Sequence, residues 1–138
     1  MTGGEAYYTD ENQKSYETAD GVITDFMFYN CSTLKNVILP SSITSIGKRA
    51  FCRTGLSKID IPNNIISLGY DSFGYCSSLE TVIIGNKVSQ ISQGAFYSSR
   101  VKNAYVKVSA PPTINAYLFS SKPEIFQKPC LVIRFVQK

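Results

Sequence analysis

SLGYDSFGYCSSLETVIIGNKVS, residues Ser67 to Ser89, is the clearest of several units that repeat along this chain. Before it stand SIGKRAFCRTGLSKIDIPNNII (Ser45 to Ile66) and the more degenerate ITDFMFYNCSTLKNVILPSSIT (Ile23 to Thr44). After it comes QISQGAFYSSRVKNAYVKV (Gln90 to Val108). Phe28, Phe51, Phe73 and Phe96 recur at intervals of 23, 22 and 23 residues, and Ile23, Ile46, Leu68 and Ile91 keep the same spacing. Three further apolar columns hold step: Leu34, Leu56, Leu79 and Val101; Val37, Ile59, Val82 and Ala104; Leu39, Ile61, Ile84 and Val106. A period in this range marks a solenoid, in which each unit buries its apolar face only by stacking on the next. Ile114 and Phe119, each 23 residues beyond Ile91 and Phe96, open a partial fifth unit. Its strand is expected in the run Cys130 to Ile133.

Each unit contains a segment such as Leu79-Glu80-Thr81-Val82-Ile83-Ile84, whose alternation predicts a strand buried on one face. The stretch around each Phe is too short for an independent helix and reads as a helical turn or a tight loop. Gly47, Gly69 and Gly94, with Pro40, Pro62 and Gly85 after the strands, mark the bends. The fold predicted is a mainly β solenoid of α/β type, with one short parallel strand per coil and irregular or short helical turns opposite. Phe28, Phe51, Phe73, Phe96 and Phe119 form its aromatic spine. Residues 1–22 read as a polar segment or cap, 23–108 as four coils, and 109–138 as the partial fifth coil with a C-terminal cap.

In 138 residues with 43% apolar content there is room for one domain and its core. The net charge of +4 is scattered, so the chain lacks the basic run expected of a nucleic-acid binder. No apolar stretch approaches the roughly 18 residues of a membrane span. The start is polar, with Glu5, Asp10, Glu11 and Glu17, and does not read as a signal peptide. The chain is therefore expected to be intracellular or an excised segment of a secreted protein; the abrupt Met1-Thr2-Gly3-Gly4 favours the second.

Catalytic chemistry finds little support. With no His, the usual Ser-His and Cys-His nucleophile pairs are excluded, as are Cys/His zinc spacings. Asp60, Asp71 and Glu80 fall in neighbouring units at offset positions and read as solvated acids on a solenoid face. Cys31 and Cys76 lie two coils apart, about 9.6 Å at strand spacing, beyond disulfide reach. All four cysteines read as reduced thiols in small interior sites. Asn30-Cys31-Ser32 fits a glycosylation sequon. No cofactor is implied.

The pattern Ile-Gly-x-x-Ala-Phe followed by Cys-Ser-x-Leu-x-x-Val-x-Ile-Pro, carried by IGKRAF with KIDIP, SFGYCSSLETVII and ISQGAF, resembles the BspA-type leucine-rich repeat of bacterial surface proteins. The likeness covers about residues 23–120. Unit one departs from it, with Asp25 and Met27 where Gly and Ala usually stand. The resemblance implies a right-handed leucine-rich-repeat superhelix, exported and held at the cell surface. It further implies adhesion to host or microbial surface proteins without catalysis.

Outward strand positions define a candidate binding face. Asn36, Lys58, Thr81 and Asn103 form one column; Ile38, Asp60, Ile83 and Tyr105 form the next. Apolar Ile38, Ile83 and Tyr105 among charges suit protein docking, although β-branched residues also favour strands for their own sake. Tyr75 and Tyr97, beside the spine, offer a carbohydrate-stacking alternative or pack on the next coil. A third reading makes the chain a spacer in a longer array.

Overall fold

The computed structural model describes residues 21–107, together with the backbone of flanking strands. In chain order the strands are β1 (Glu5–Thr9), β2 (Ser15–Glu17), β3 (Val22–Ile23), β4 (Asn36–Ile38), β5 (Ser45–Ile46) and β6 (Lys58–Ile61). They continue with β7 (Ser67–Leu68), β8 (Thr81–Ile84), β9 (Gln90–Ile91), β10 (Asn103–Val106), β11 (Thr113–Ile114) and β12 (Val132–Phe135). The result is a parallel solenoid. Among the described residues there is no helix, so the segments around the Phe residues are the tight loops of the two alternatives.

Two parallel ladders run along the molecule. The expected one has the order β12-β10-β8-β6. Its register sets Lys58 opposite Thr81 and Thr81 opposite Asn103, with Ile59, Val82 and Ala104 in the next inward column. The second was not foreseen: two-residue strands in the order β11-β9-β7-β5-β3 align Ile23, Ile46, Leu68, Ile91 and Ile114. Strands that short leave no alternation to read. Beyond these, β11 pairs with β9 and β12 with β10, the latter strand lying at Val132–Phe135 where Cys130 to Ile133 was expected. Phe119 lies outside the described residues.

The first unit departs from the expected ladder. β4 does not join the parallel sheet but pairs antiparallel with β1, which in turn pairs with β2. Ile38 faces Tyr7 in that register, and Asn36 faces Thr9. The columns of the ladder proper therefore begin at Lys58 and Asp60.

Between the two ladders the chain turns around each Phe, and here the backbone repeats with unusual regularity. The residues two before and two after each spine Phe all have positive φ, between 49° and 69°: Phe26, Arg49, Asp71 and Gly94 before, Asn30, Arg53, Tyr75 and Ser98 after. For a side-chain-bearing residue that conformation costs on the order of 1–3 kcal/mol. The surrounding hydrogen bonds hold it in place. Amides of Arg49, Phe51 and Arg53 donate to the carbonyls of Tyr70, Ser72 and Gly74 in the next coil at 2.8 to 2.9 Å. Amides of Ala50 and Cys52 instead close turns on Gly47 and Arg49. Coils one and three repeat both sets, so alternate amides form a third axial ladder.

That ladder holds successive Phe residues one backbone step apart, and the rings follow. Phe28 stacks on Phe51 at 5.0 Å between centroids and 12° between planes. Phe51 and Phe73 stand at 5.2 Å and 2°, and Phe73 and Phe96 at 5.5 Å and 11°. Near-parallel rings at these separations are slipped rather than superposed, which aromatic quadrupoles favour. Phe51, Phe73 and Phe96 are wholly buried, ringed by the aliphatic columns of both ladders. Each ring contributes roughly 1.5–3 kcal/mol by area removed from water.

Close coil spacing also explains two glycines. A Cβ on Gly69 would come within 2.6 Å of the Gly47 carbonyl carbon and 2.7 Å of the Lys48 amide nitrogen, so nothing larger fits. Gly94 belongs to a different column, the positive-φ position two before Phe96, at φ 69°. The residue just before the spine is Ala50 in coil two, Ser72 in coil three and Ala95 in coil four. Among the described residues, the Ser72 hydroxyl is the buried side-chain polar atom that lacks a hydrogen-bond partner. An unpartnered buried hydroxyl costs about 1–3 kcal/mol. Ser72→Ala, matching the flanking coils, should therefore raise stability by about 1 kcal/mol, read as a higher denaturation midpoint at unchanged slope.

Candidate functional site

The ladder face is built from strands β6, β8 and β10, whose alternation turns Ile59, Ile61, Val82, Ile84, Ala104 and Val106 inward and leaves the intervening positions outside. The pairing aligns Lys58, Thr81 and Asn103 as one outward row and Asp60, Ile83 and Tyr105 as the next. Lys58 and Asp60 are exposed, whereas Thr81, Ile83, Asn103 and Tyr105 are half-buried by flanking strands. Ile38, expected in the second row, lies instead on β4 outside this ladder; it is 73% exposed, the most open large apolar side chain among the described residues. Beside the strands, Lys102 Nζ meets Glu80 Oε1 at 2.8 Å on the surface.

A second feature lies on the turns around the spine. A cleft of about 230 Å³ is lined by Arg49, Tyr70, Asp71, Tyr75, Gln93, Gly94 and Tyr97. Asp71 is not the solvated acid that its sequence context suggested. It is 5% exposed, and its Oδ2 accepts from Arg49 Nε at 3.3 Å. The pair forms because both residues occupy the same positive-φ column, one coil apart. Tyr75 and Tyr97 meet edge to face across neighbouring coils, 5.2 Å between centroids and 66° between planes. Burial, with Tyr97 and Asp71 nearby, holds the Tyr75 phenol above its ordinary pKa. From sequence Tyr75 and Tyr97 stand out as stacking candidates and Asp71 reads as a solvated acid, whereas Tyr70, Arg49 and Gln93 do not stand out. The signal for the ion pair was an Arg and an Asp in matching frames 22 residues apart.

The other candidate groups are dispersed. Asp60 is on the ladder, Asp71 is tied to Arg49, and Glu80 to Lys102, so the three acids do not converge. Among the described residues no group of three or more His, Cys, Asp or Glu is placed to hold a metal ion. Nor is any helix of the described residues long and apolar enough to cross a membrane. The cysteines differ from the expected uniform burial: Cys52 and Cys76 are interior, but Cys31 is exposed in the first coil. Burial pushes the Cys52 thiol up to about 11, with Cys76 and Asp71 adding to it. The Cys76 thiol is likewise raised by burial, against opposing hydrogen bonds from Thr54 and Arg53. Its sulfur lies 3.1 Å from the Phe51 carbonyl oxygen and 3.3 Å from Thr54 Oγ1, in the column three residues after each Phe.

Parallel ladders, a stacked spine and one consensus frame per coil define a leucine-rich-repeat solenoid. Residues 3–125 match the family described as BspA type Leucine rich repeat region (6 copies), and the chain belongs to that family. Among solved structures it is similar to a leucine-rich repeat protein from Bacteroides capillosus ATCC 29799, with a TM-score of 0.55 and 20% identity. That alignment covers 98% of this chain and 75% of the other, and at such identity it speaks for the fold alone. No curated protein matches the chain.

Thiols protonated by burial are poor nucleophiles. Cys52 and Cys76 should therefore resist iodoacetamide at pH 8 in the folded protein and react once it is unfolded in denaturant. Mass spectrometry of the labelled peptides checks this.

Proposed function

We propose that this chain is a non-catalytic binding module, secreted or displayed at a cell surface, that docks a protein partner on its ladder face. The observation carrying this reading is the register of the ladder. It aligns Asp60 with half-buried Ile83 and Tyr105, beside the row of Lys58, Thr81 and Asn103. Half-buried aromatic and aliphatic groups ringed by polar ones are what a protein interface desolvates, and Tyr is frequent among its strongest contributors. The inward faces of the same strands already satisfy the fold. Outward apolar groups are thus available for contact without loss of core.

Display at the surface, and a host or microbial protein as partner, rest on membership of the BspA-type family. The absence of converging catalytic groups among the described residues favours a scaffold over an enzyme. Solid-phase binding to a panel of purified extracellular matrix proteins tests the reading. Ile83→Glu combined with Tyr105→Glu should weaken capture by at least about 2 kcal/mol, or some thirtyfold, while circular dichroism and cooperative unfolding show the fold retained. Undiminished capture by that variant would contradict ladder-face docking. No capture by this chain where a longer array has it would favour the spacer reading.

A further inference from the structure

The cleft on the turns is chemically unlike the ladder face and lies on a different side of the coil. Its walls are aromatic: Tyr70 and Tyr75 are 39% and 41% exposed, and Tyr97 packs edge-on against Tyr75. Its polar groups are the Arg49 guanidinium, the Asp71 carboxylate and the Gln93 amide. Gly94 makes room for the Asp71 carboxylate. A Cβ there would run into Asp71 Oδ1, whereas coils one to three carry Phe26, Arg49 and Asp71 at the equivalent position. Among coils one to four the fourth alone has no side chain in this column, and the Asp71 carboxylate lies where its Cβ would be, at the wall of the cleft.

The charge around it is positive. Arg49 lies 5.7 Å and Lys48 5.8 Å from the Tyr70 ring centroid, and Arg53 lies 5.3 Å from that of Tyr75. Against these three cations stand buried Asp71, joined to Arg49, and Asp25, whose Oδ1 accepts from the Lys48 backbone amide at 2.8 Å. The Arg49 contact with Asp71 uses Nε, which leaves the two Nη groups to face a ligand. A guanidinium edge of this kind binds a carboxylate through paired hydrogen bonds. Tyrosine faces, negative in their quadrupole, suit the C–H face of a pyranose ring. A neutral sugar would leave the cationic excess unused, and a bare anion would leave the tyrosines unused.

The geometry points to a glycan subsite that takes one carboxylate-bearing pyranose, a uronic-acid unit. The ring lies against the tyrosines, the carboxylate meets Arg49 Nη, and ring hydroxyls reach Asp71 and Gln93. At about 230 Å³ the cleft is below the roughly 300–1,000 Å³ of drug-sized pockets, which fits a single sugar unit. Positive surroundings make the binding salt-sensitive, since surface charges are screened over about 8–10 Å at physiological ionic strength. This site is independent of the ladder-face reading, and either can fail without the other.

Isothermal titration with a glucuronate-bearing tetrasaccharide, alongside a neutral glucose tetrasaccharide, tests it on the whole chain. The acidic probe should bind saturably and more weakly as salt rises, with the neutral probe at least about tenfold weaker. Tyr75→Ala and Gln93→Ala, both at accessible positions, should each lower affinity for the acidic probe several-fold. Arg49→Gln should abolish the preference for it over the neutral one. Ile83→Glu with Tyr105→Glu should leave binding unchanged. Equal affinity for both probes, indifference to Tyr75→Ala, or no saturable binding up to about 10 mM would each overturn the assignment.

Discussion

One spacing governs this molecule. Strands in a parallel ladder stand about 4.8 Å apart, and flat rings in contact require about 3.5 Å between planes. The Phe spine reconciles the two by slipping, so that centroids fall 5.0 to 5.5 Å apart while the planes stay within 12° of parallel. The axial hydrogen bonds from Phe28 to Ala50, Phe51 to Ser72 and Phe73 to Ala95 hold the backbone at that pitch. Ring and amide thus impose the same repeat. A coil that moved along the axis would lose both at once. The strained turns belong to the same constraint: positive φ falls on the first and last of the three residues whose amides donate to the next coil.

The outward surfaces inherit this order. With the pitch set, whatever side chains the outward positions carry are displayed as columns about one strand spacing apart. On the ladder face this yields an alternation of charge and apolar surface across Lys58, Asp60, Ile83 and Tyr105. On the turns it yields cations, tyrosines and the Arg49–Asp71 pair, with Gly94 making room for the Asp71 carboxylate. The solenoid supplies the positions, and substitutions confined to outward columns leave the core untouched.

Much of the interior was legible because inward positions repeat the same residue type. The spine, the aliphatic columns and the pairing of Lys58 with Thr81 and Asn103 all follow from counting residues between like side chains. Three features were hidden for physical reasons. The second ladder consists of two-residue strands, too brief for alternation to register. The pairing of β4 with β1 joins EAYYT, which does not show the Phe-centred frame of the later units, to the most worn of those units. Positive φ at Arg49, Asp71 and Tyr75 is not written in residue type, since Gly or Asn would have been the ordinary signal. Without that knowledge Asp71 reads as a solvated acid, and the cleft it lines stays invisible. Candidate binding residues were less legible than core ones because outward columns vary freely in composition.

The coupling of coil to coil through the spine is measured most directly by a double-mutant cycle on neighbouring rings. Phe51→Leu, Phe73→Leu and the double variant, unfolded in urea, should show an interaction energy of about 0.5–1.5 kcal/mol. The same cycle on Phe28 and Phe96, separated by two intervening rings, should return values that simply add. If Phe51 and Phe73 were equally additive, the rings would be filling space independently, and the account of a stack that sets the register of the coils would be wrong.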